Sequence, residues 1–187
     1  MTDMESTMTD RTKQEGGESL VSFSAKLTEQ DLYRFNLYHT YTTSQGWISI
    51  FFGILIPVVA ILVRDRLDTP IFILYFVVGI AMLVYFPLTL RIRSRAQLSS
   101  SEALQQEIDY RLTESGIFVH IGDESAQLPW DAVYKAVTAR GELMIFSSRV
   151  NAYIIPLEQI ADKYDRIRSV MLLHLPDHRV HMKDNPV

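Results

Sequence analysis

The sequence predicts an α+β membrane protein, in which a two-helix transmembrane hairpin precedes a small domain of short strands closed by a C-terminal helix. Two uncharged stretches, residues 47–63 and 69–90, predict the hairpin. At about 1.5 Å of rise per residue, the second stretch reaches about 30 Å, the thickness of a bilayer's hydrocarbon core. Short runs of alternating apolar and polar residues after residue 107 predict the strands, since alternation is the period of a half-buried strand.

An apolar run of this length also occurs as the central helix of a large soluble core. A chain of 187 residues leaves too little protein to cover two such helices. The sequence therefore favours a transmembrane hairpin over residues 42–95, with spans at about 44–63 and 69–90. Only the charged segment from Arg64 to Asp68 separates the two spans.

Composition excludes several kinds of site. The net charge of -4 is spread along the chain, so no basic footprint for nucleic acid is visible. The chain has no cysteine, which excludes disulfides, thiolate nucleophiles and cysteine-based metal sites. Residues 1–18 are polar and acidic with no apolar run, so they are predicted to be a disordered tail rather than a signal peptide.

Basic residues near the ends of the spans predict the orientation of the hairpin. Arg91, Arg93 and Arg95 directly follow the second span, whereas Arg64 and Arg66 lie in the short loop between the spans. Because cytoplasmic flanks have an excess of Lys and Arg, this distribution places both termini in the cytoplasm.

The residues within the hairpin indicate an anchor. Trp47 lies where interfacial aromatic side chains are expected. Pro57 is expected to bend the first helix, and Gly53 and Gly79 would let the two helices approach closely. The spans contain no Asp, Glu, Lys, Arg or His, the residues that normally mark ion pathways and proton relays. The hairpin is therefore not expected to act as a channel or transporter by itself.

A strand and a short helix are predicted before the hairpin, over residues 19–41. Residues 20–27 alternate in polarity, and the segment from Thr28 to Asp31 resembles a capping box that opens a helix. The sequence leaves open whether this strand joins the sheet of the later domain.

Residues 96–176 are predicted to form one cytoplasmic domain, and residues 177–187 a flexible tail. Residues 108–112 and 117–121 flank a turn and predict a β-hairpin. Further short strands are expected at residues 125–128, 133–138, 143–147 and 152–155. Pro156 is expected to open a helix that runs to about Leu175. Short antiparallel strands closed by one C-terminal helix are the layout of a pleckstrin-homology-like (PH-like) roll, although the pattern alone predicts only a small α+β domain with a meander sheet.

Three segments of this domain, the helix entry Phe35-Asn-Leu-Tyr-His39 and the two spans indicate a family. The segments are Tyr110-Arg-Leu-Thr-Glu-Ser-Gly-Ile117, Leu128-Pro-Trp130-Asp-Ala-Val-Tyr-Lys135 and Ala152-Tyr-Ile-Ile-Pro156. With them the chain resembles the YcxB-like proteins of bacteria over roughly residues 19–175, although Leu157 stands where a basic residue is expected. The resemblance implies a membrane-anchored, PH-like cytoplasmic domain and no established activity.

Few side chains are candidates for a binding site. Trp130 could anchor a peptide partner, since Trp is enriched at binding hot spots, but plugging one end of a small barrel is the favoured interpretation. Arg140 and Arg149 mark a second surface on which a partner could bind. The basic residues Arg91, Arg93 and Arg95 would attract anionic headgroups, although a topology signal explains them without a lipid site.

No catalytic, cofactor-binding or metal-binding residues are predicted. His174, His178 and His181 are spaced as for one helix face with Asp177, but Pro176 interrupts the helix, which favours a flexible tail over a metal site. The sequence shows no nucleophile elbow, phosphate loop or His-Glu-x-x-His motif.

The sequence thus predicts a membrane-anchored binding or regulatory module without catalytic activity, in the inner membrane of a bacterium. Its expected partners are the bilayer and either another protein or a second copy of the chain, and no nucleic acid. One alternative is a membrane enzyme acting on lipid headgroups, which would require two or three polar groups, such as His39, His120 and Asp131, to converge at the bilayer surface. Another is an oligomeric pore or transport subunit, which the apolar spans disfavour.

Overall fold

The computed structural model describes residues 19–42 and 44–184, and the protein has a mixed α+β fold. The predicted disordered tail at residues 1–18 lies outside the described residues. The described residues form five α-helices: α1 (Glu29–Thr42), α2 (Ser44–Leu62), α3 (Thr69–Ser100), α4 (Glu102–Gln105) and α5 (Tyr164–His174). The strands are β1 (Ser19–Lys26), β2 (Glu107–Thr113), β3 (Gly116–Ile121), β4 (Glu124–Pro129), β5 (Lys135–Ala139), β6 (Glu142–Phe146), β7 (Ala152–Pro156) and β8 (Val180–His181).

The chain forms two compact units. The helical unit consists of residues 32–100, and the sheet unit consists of the described residues before 32 together with those from 101 onward. All eight strands belong to the sheet unit, where they form two four-stranded sheets in the orders β1-β2-β3-β4 and β7-β6-β5-β8.

The first sheet is an antiparallel meander that includes the N-terminal strand. β1 pairs with β2 along its length, ending at the pair Lys26 and Glu107. Apolar side chains on one face of this pair are buried, and the rings of Phe23 and Tyr110 stack with centroids 5.1 Å apart. The strand whose partner the sequence left open therefore joins the sheet of the later domain. The helical unit is inserted between two paired strands.

The second sheet is built on a tight hairpin. β5 and β6 are joined at the pair Ala139 and Glu142 by two residues with positive φ, Arg140 at 56° and Gly141 at 84°. Positive φ at both central positions defines a type I′ turn, whose twist matches that of the flanking strands. Together with the β2–β3 and β6–β7 pairs, this hairpin confirms the predicted strand order after residue 107.

The C-terminal helix begins later than the sequence predicts. Pro156 is the last residue of β7, with extended φ and ψ of -62° and 126°, and a 3₁₀ turn at Leu157–Gln159 follows it. α5 starts at Tyr164 and buries one face made of Tyr164, Ile167, Val170 and Met171. Ile160 fits the same apolar spacing and is fully buried, but it packs from the connecting segment rather than from the helix.

Residues 177–184 do not form the flexible tail that was predicted to start at residue 177. A 3₁₀ turn at Asp177–Arg179 leads into β8, which pairs in parallel with β5. Met182 is buried, and the Tyr164 hydroxyl donates to the carbonyl oxygen of Lys183 at 2.9 Å. The polar sequence suggested a flexible tail. In the structure, backbone groups of β8 form hydrogen bonds with the free edge of β5 instead.

The helical unit contains one clear candidate for a membrane span. By length and composition, α3 is the one helix among the described residues that is long and apolar enough to cross a membrane. Only 6% of its most apolar window is buried, unlike the core helix of a soluble protein. α1 and residues 46–62 meet the same criteria only when taken together, and they are bent by 73° at their junction. A second span is therefore present only if this bent pair counts as one.

Candidate functional site: the apolar helices and the Trp130 cluster

The surface of α2 and α3 is apolar on nearly every side. Large hydrophobic side chains are exposed from Trp47, at 63%, to Ile92. On α2 they are Trp47, Ile48, Phe51, Phe52, Ile54, Leu55, Val58, Val59, Ile61 and Leu62, and on α3 they include Ile71, Ile73, Leu74, Val77, Val78, Ile80, Leu83, Val84, Tyr85, Leu88 and Ile92. Soluble monomers rarely expose a contiguous apolar patch this extended, and such patches mark surfaces that contact a membrane, a ligand or another protein.

The two helices meet through glycine, as their positions in the sequence suggested. A Cβ atom on Gly79 would lie 2.4 Å from Cγ of Pro57, and one on Gly53 would lie 2.6 Å from Cδ2 of Leu83. These approaches leave no room for a side chain at either glycine. Ser49 adds an interhelical hydrogen bond, its hydroxyl donating to the carbonyl oxygen of Met82 at 2.9 Å. Close glycine contacts and such bonds are what hold helices together in lipid.

A groove of about 430 Å³ runs beside this contact. It is lined by Ser49, Val78, Ala81, Met82, Tyr85 and Phe86, and its walls are almost entirely apolar. All of these residues belong to the helical unit.

The predicted interfacial residues lie at the ends of the apolar helices. Trp47 is near the start of α2, and Arg91, Arg93 and Arg95 are exposed on the last third of α3. The loop between the helices holds Arg64, whose guanidinium lies 4.8 Å from the ring centroid of Phe72. The arrangement of base and aromatic residues at both ends is typical of membrane interfaces.

Trp130 belongs to a buried cluster in the sheet unit. It begins a 3₁₀ turn after β4, and its Nε1 donates to the carbonyl oxygen of Thr113 at 3.0 Å. Its ring stacks on the imidazole of His174, with centroids 4.6 Å apart and planes at 6°. Trp130 is only 9% exposed, so its burial agrees with a packing role and leaves little of the indole for a partner.

His174 connects this cluster to the surface. Its Nε2 lies 3.5 Å from a carboxylate oxygen of Glu114, an ion-pair distance that does not satisfy hydrogen-bond geometry. Glu114 and Thr113 sit at the β2–β3 turn, where the Thr113 hydroxyl donates to the carbonyl oxygen of Gly116. Sequence reasoning placed His174 in a possible metal cluster and missed this stack. Trp130 and His174 lie far apart in the chain, and no pattern in the sequence connects them.

The C-terminal histidines do not form a metal site. His174 stacks on Trp130, His178 lies in the 3₁₀ turn before β8, and His181 lies in β8. Within residues 19–42 and 44–184, no group of three or more His, Cys, Asp or Glu side chains is arranged to hold a metal ion.

Arg140 and Arg149 do not form one surface. Arg140 is in the turn before β6 and Arg149 in the turn after it, so the length of the strand separates them. At about 3.3 Å per residue, that length is about 13 Å. Each arginine is exposed, and each marks a different end of the second sheet.

The polar groups proposed for an enzyme also lie apart. His120 is exposed near the end of β3, four residues after Gly116, whereas Asp131 follows Pro129, the partner of Gly116. The two therefore lie at opposite ends of the β3–β4 pair, about 13 Å apart along the strand. His39 lies in α1, within the helical unit. The structure does not bring His120 and Asp131 together as an acid–base pair.

Comparison with known families identifies part of the sheet unit. Residues 112–171 match the family model of the YcxB-like protein. No curated protein matches the chain. The matched stretch runs from the end of β2 into α5 and includes Trp130 and the strands β5, β6 and β7. It contains the segments 128–135 and 152–156 on which the resemblance was based. The match confirms the resemblance to YcxB-like proteins over residues 112–171, which is less than half of the chain.

Proposed function

We propose that the protein is a membrane-anchored binding module. In this proposal the helical unit crosses the bilayer twice, and the sheet unit is a PH-like domain at the cytoplasmic surface that binds another protein or a second copy of the chain. The exposed apolar surface of α2 and α3 is the observation that carries the proposal.

Energetics support insertion of both helices. Burial of apolar surface stabilises by about 25 cal/mol per Å², so helices that are apolar on every side favour lipid over water. No charged residue interrupts residues 47–63 or 69–90, and the polar Ser49 is satisfied within the helix pair. The helical backbone bonds most of its own polar groups, as the hydrocarbon core requires, although Pro57 in α2 and Pro87 in α3 each have no N–H to donate.

Strand pairing supports an even number of crossings. β1 precedes the helical unit and β2 follows it, yet Lys26 and Glu107 are direct neighbours in one sheet. A chain that leaves and re-enters the same sheet must return to the side of the membrane on which it started. Two crossings meet this condition, and the Arg91, Arg93 and Arg95 group favours the cytoplasm as that side.

The strand plan supports a PH-like roll. A four-stranded antiparallel meander is followed by the three antiparallel strands β5, β6 and β7 and then by α5. Such a scaffold favours binding over catalysis here, because the polar candidates His120 and Asp131 are separated. Confinement to a membrane would raise the effective concentration of the domain toward other membrane proteins.

Cysteine labelling tests the anchor and its topology, since the chain has no cysteine of its own. Asp65→Cys lies in the exposed loop between α2 and α3, and Asp123→Cys lies in the exposed β3–β4 turn. In intact cells, an impermeant maleimide should label Asp65→Cys at once and Asp123→Cys only after permeabilisation. Equal labelling of both positions, or extraction of the protein by alkaline carbonate, would refute the anchor.

Site-specific photo-crosslinking tests the binding function. Crosslinkers at Arg140, Arg149 and Leu173 sample three separate parts of the sheet unit, and Leu173 is 72% exposed on α5. We expect one position to capture a reproducible species that mass spectrometry identifies as a protein or as a second copy. Absence of capture at all three positions would count against a binding module.

A further inference from the structure

One face of α3 continues from the apolar groove to an arginine. At 3.6 residues per turn, positions 78, 82, 85, 89 and 93 lie on one side of a helix. Val78, Met82 and Tyr85 line the groove, and Arg93 follows on the same side of the helix. The three arginines at this end of α3 are therefore not equivalent. Two residues of rotation put Arg91 about 160° away from Arg93 around the axis.

Other faces of α3 are occupied within the helical unit. Gly79 and Leu83 lie against α2, and Ser94 accepts a hydrogen bond from the Asn36 amide of α1 at 2.9 Å. Ser49 of α2 borders the groove on one side, where its hydroxyl donates to the carbonyl oxygen of Met82, whereas Ala81 on the other side of the groove is exposed. A ligand could therefore reach the groove from the lipid side.

We propose that this groove and Arg93 form a binding site for one anionic phospholipid. This inference rests on the proposed membrane anchor. An acyl chain lies along Val78, Met82 and Phe86, and the headgroup phosphate accepts hydrogen bonds from the guanidinium of Arg93.

The spacing fits an amphiphile of this kind. Phe86 and Arg93 are seven residues apart, which is about 10 Å along the helix axis. That distance accommodates the ester and glycerol region between the acyl chain and the phosphate. Arginine side chains keep their stems in apolar surroundings while the charged end reaches the interface. Guanidinium binds phosphate oxygens in a bidentate manner, which gives the site a preference for phosphate over neutral groups.

Charge argues for an anionic lipid rather than a zwitterionic one. Arg93 has no acidic side chain within four residues in either direction along α3. The cationic group of a zwitterionic headgroup would lie close to this arginine, whereas phosphatidylglycerol brings only negative charge. The charge of the headgroup therefore determines which lipid binds, and the groove determines where on the helical unit it binds.

Native mass spectrometry of the full chain in neutral detergent tests this site. The probes are phosphatidylglycerol and phosphatidylcholine with the same acyl chains, added in equal amounts. We expect the wild type to retain one phosphatidylglycerol in preference to phosphatidylcholine. Arg93→Gln should lower that preference by about fivefold, as expected for loss of one arginine near a headgroup. Arg91→Gln, the matched control, should keep it.

A second variant tests the groove separately from the charge. Ala81→Phe should fill the groove and reduce retention of both lipids while circular dichroism shows the helices intact. Equal losses in the Arg91→Gln and Arg93→Gln variants would overturn the site in favour of general surface charge. Dimers that Ala81→Phe dissociates would overturn it in favour of a second copy of the chain. Carbonate extraction of the same variants distinguishes a wrong lipid site from a wrong membrane anchor. A variant that only loses the lipid site stays in the membrane fraction, whereas a protein without a membrane anchor is extracted.

Discussion

The indole of Trp130 is fixed on both its edge and its face. Its Nε1 donates to Thr113, and its ring stacks on His174. Trp130→Ala should therefore lower the free energy of unfolding by about 3–5 kcal/mol, as for large-to-small changes in a core. Trp130→Phe should cost about 1–2 kcal/mol, chiefly through the carbonyl oxygen left without its donor. Denaturant unfolding in detergent, followed by circular dichroism, measures both.

Tyr134→Ala is the matched control for Trp130, because Tyr134 is an aromatic residue of the same segment that is 45% exposed. It should change the free energy of unfolding by about 0.5 kcal/mol or less. If Trp130→Ala were equally mild and abolished capture of a partner, Trp130 would be a binding residue rather than part of the core.

Tyr110 makes stability depend on pH in the alkaline range. Burial, followed by the neighbouring Tyr153, raises the pKa of Tyr110 above its usual value of 10.0. The folded state therefore keeps this proton when the unfolded state loses it, so the stabilisation is complete below pH 10 and falls as the pH rises above it. Between pH 9 and pH 11, the loss from this one residue should be about 1.4 kcal/mol.

The Tyr110→Phe variant removes that titration and keeps the stacked ring. Its free energy of unfolding should fall less than that of the wild type between pH 9 and pH 11. Some loss should remain, because burial also raises the pKa of Tyr164. Identical pH profiles for the two proteins would show that Tyr110 ionises in the folded state as freely as in the unfolded state.

At the scale of elements, β8 and the residues after it close the second sheet. Truncation after Arg179 would remove the β5–β8 pairing, the buried Met182 and the acceptor of the Tyr164 hydroxyl. We expect a loss of about 3 kcal/mol or more in the free energy of unfolding, since removing a buried methionine side chain alone costs about 2–5 kcal/mol. His181→Ala, an exposed change in the same strand, should be nearly neutral. A truncated protein as stable as the wild type would restore the interpretation of a flexible tail.

Local signals in the sequence were sufficient to predict the positions of most of the strands. Turn residues such as Gly116 and Arg140-Gly141, with alternating side chains between them, located the hairpins of both sheets. The apolar period also identified the buried residues of α5, including Ile160, which lies outside the helix. The start of the helix was missed because Pro156 fits the end of a strand as well as the first turn of a helix.

Contacts between distant segments could not be predicted from one sequence. β8 has only two residues, so its place beside β5 depends on partners that lie far away in the chain. The same is true of the Trp130–His174 stack and of the β1–β2 pair, which spans the whole helical unit. Periodicity reports which side of an element is buried, but not against which element it packs.

For the whole molecule, the insertion between β1 and β2 makes the fold of the sheet unit and the membrane path interdependent. β1 contributes the buried residues Val21, Phe23 and Ala25 to the first sheet. Because the whole helical unit lies between β1 and β2 in the sequence, the first sheet cannot form until the helical unit has been synthesised. In the proposed topology, folding of the domain must therefore wait for the hairpin to insert and return. Such long-range strand pairing is expected to be a slow step, since loop closure precedes any gain from the contacts.

The same geometry predicts that the proposed anchor can be removed without loss of the two sheets. Lys26 and Glu107 are cross-strand partners, so an Asn-Gly turn can join them in place of residues 27–106. We expect the shortened chain to stay soluble in sedimentation without detergent, with Trp130 fluorescence that reports a buried indole. A control that starts at Glu107 lacks β1, and it should unfold or aggregate because the Phe23 face of Tyr110 becomes exposed. Aggregation of the Asn-Gly variant as well would mean that the helical unit is part of the core of the sheet unit rather than its anchor.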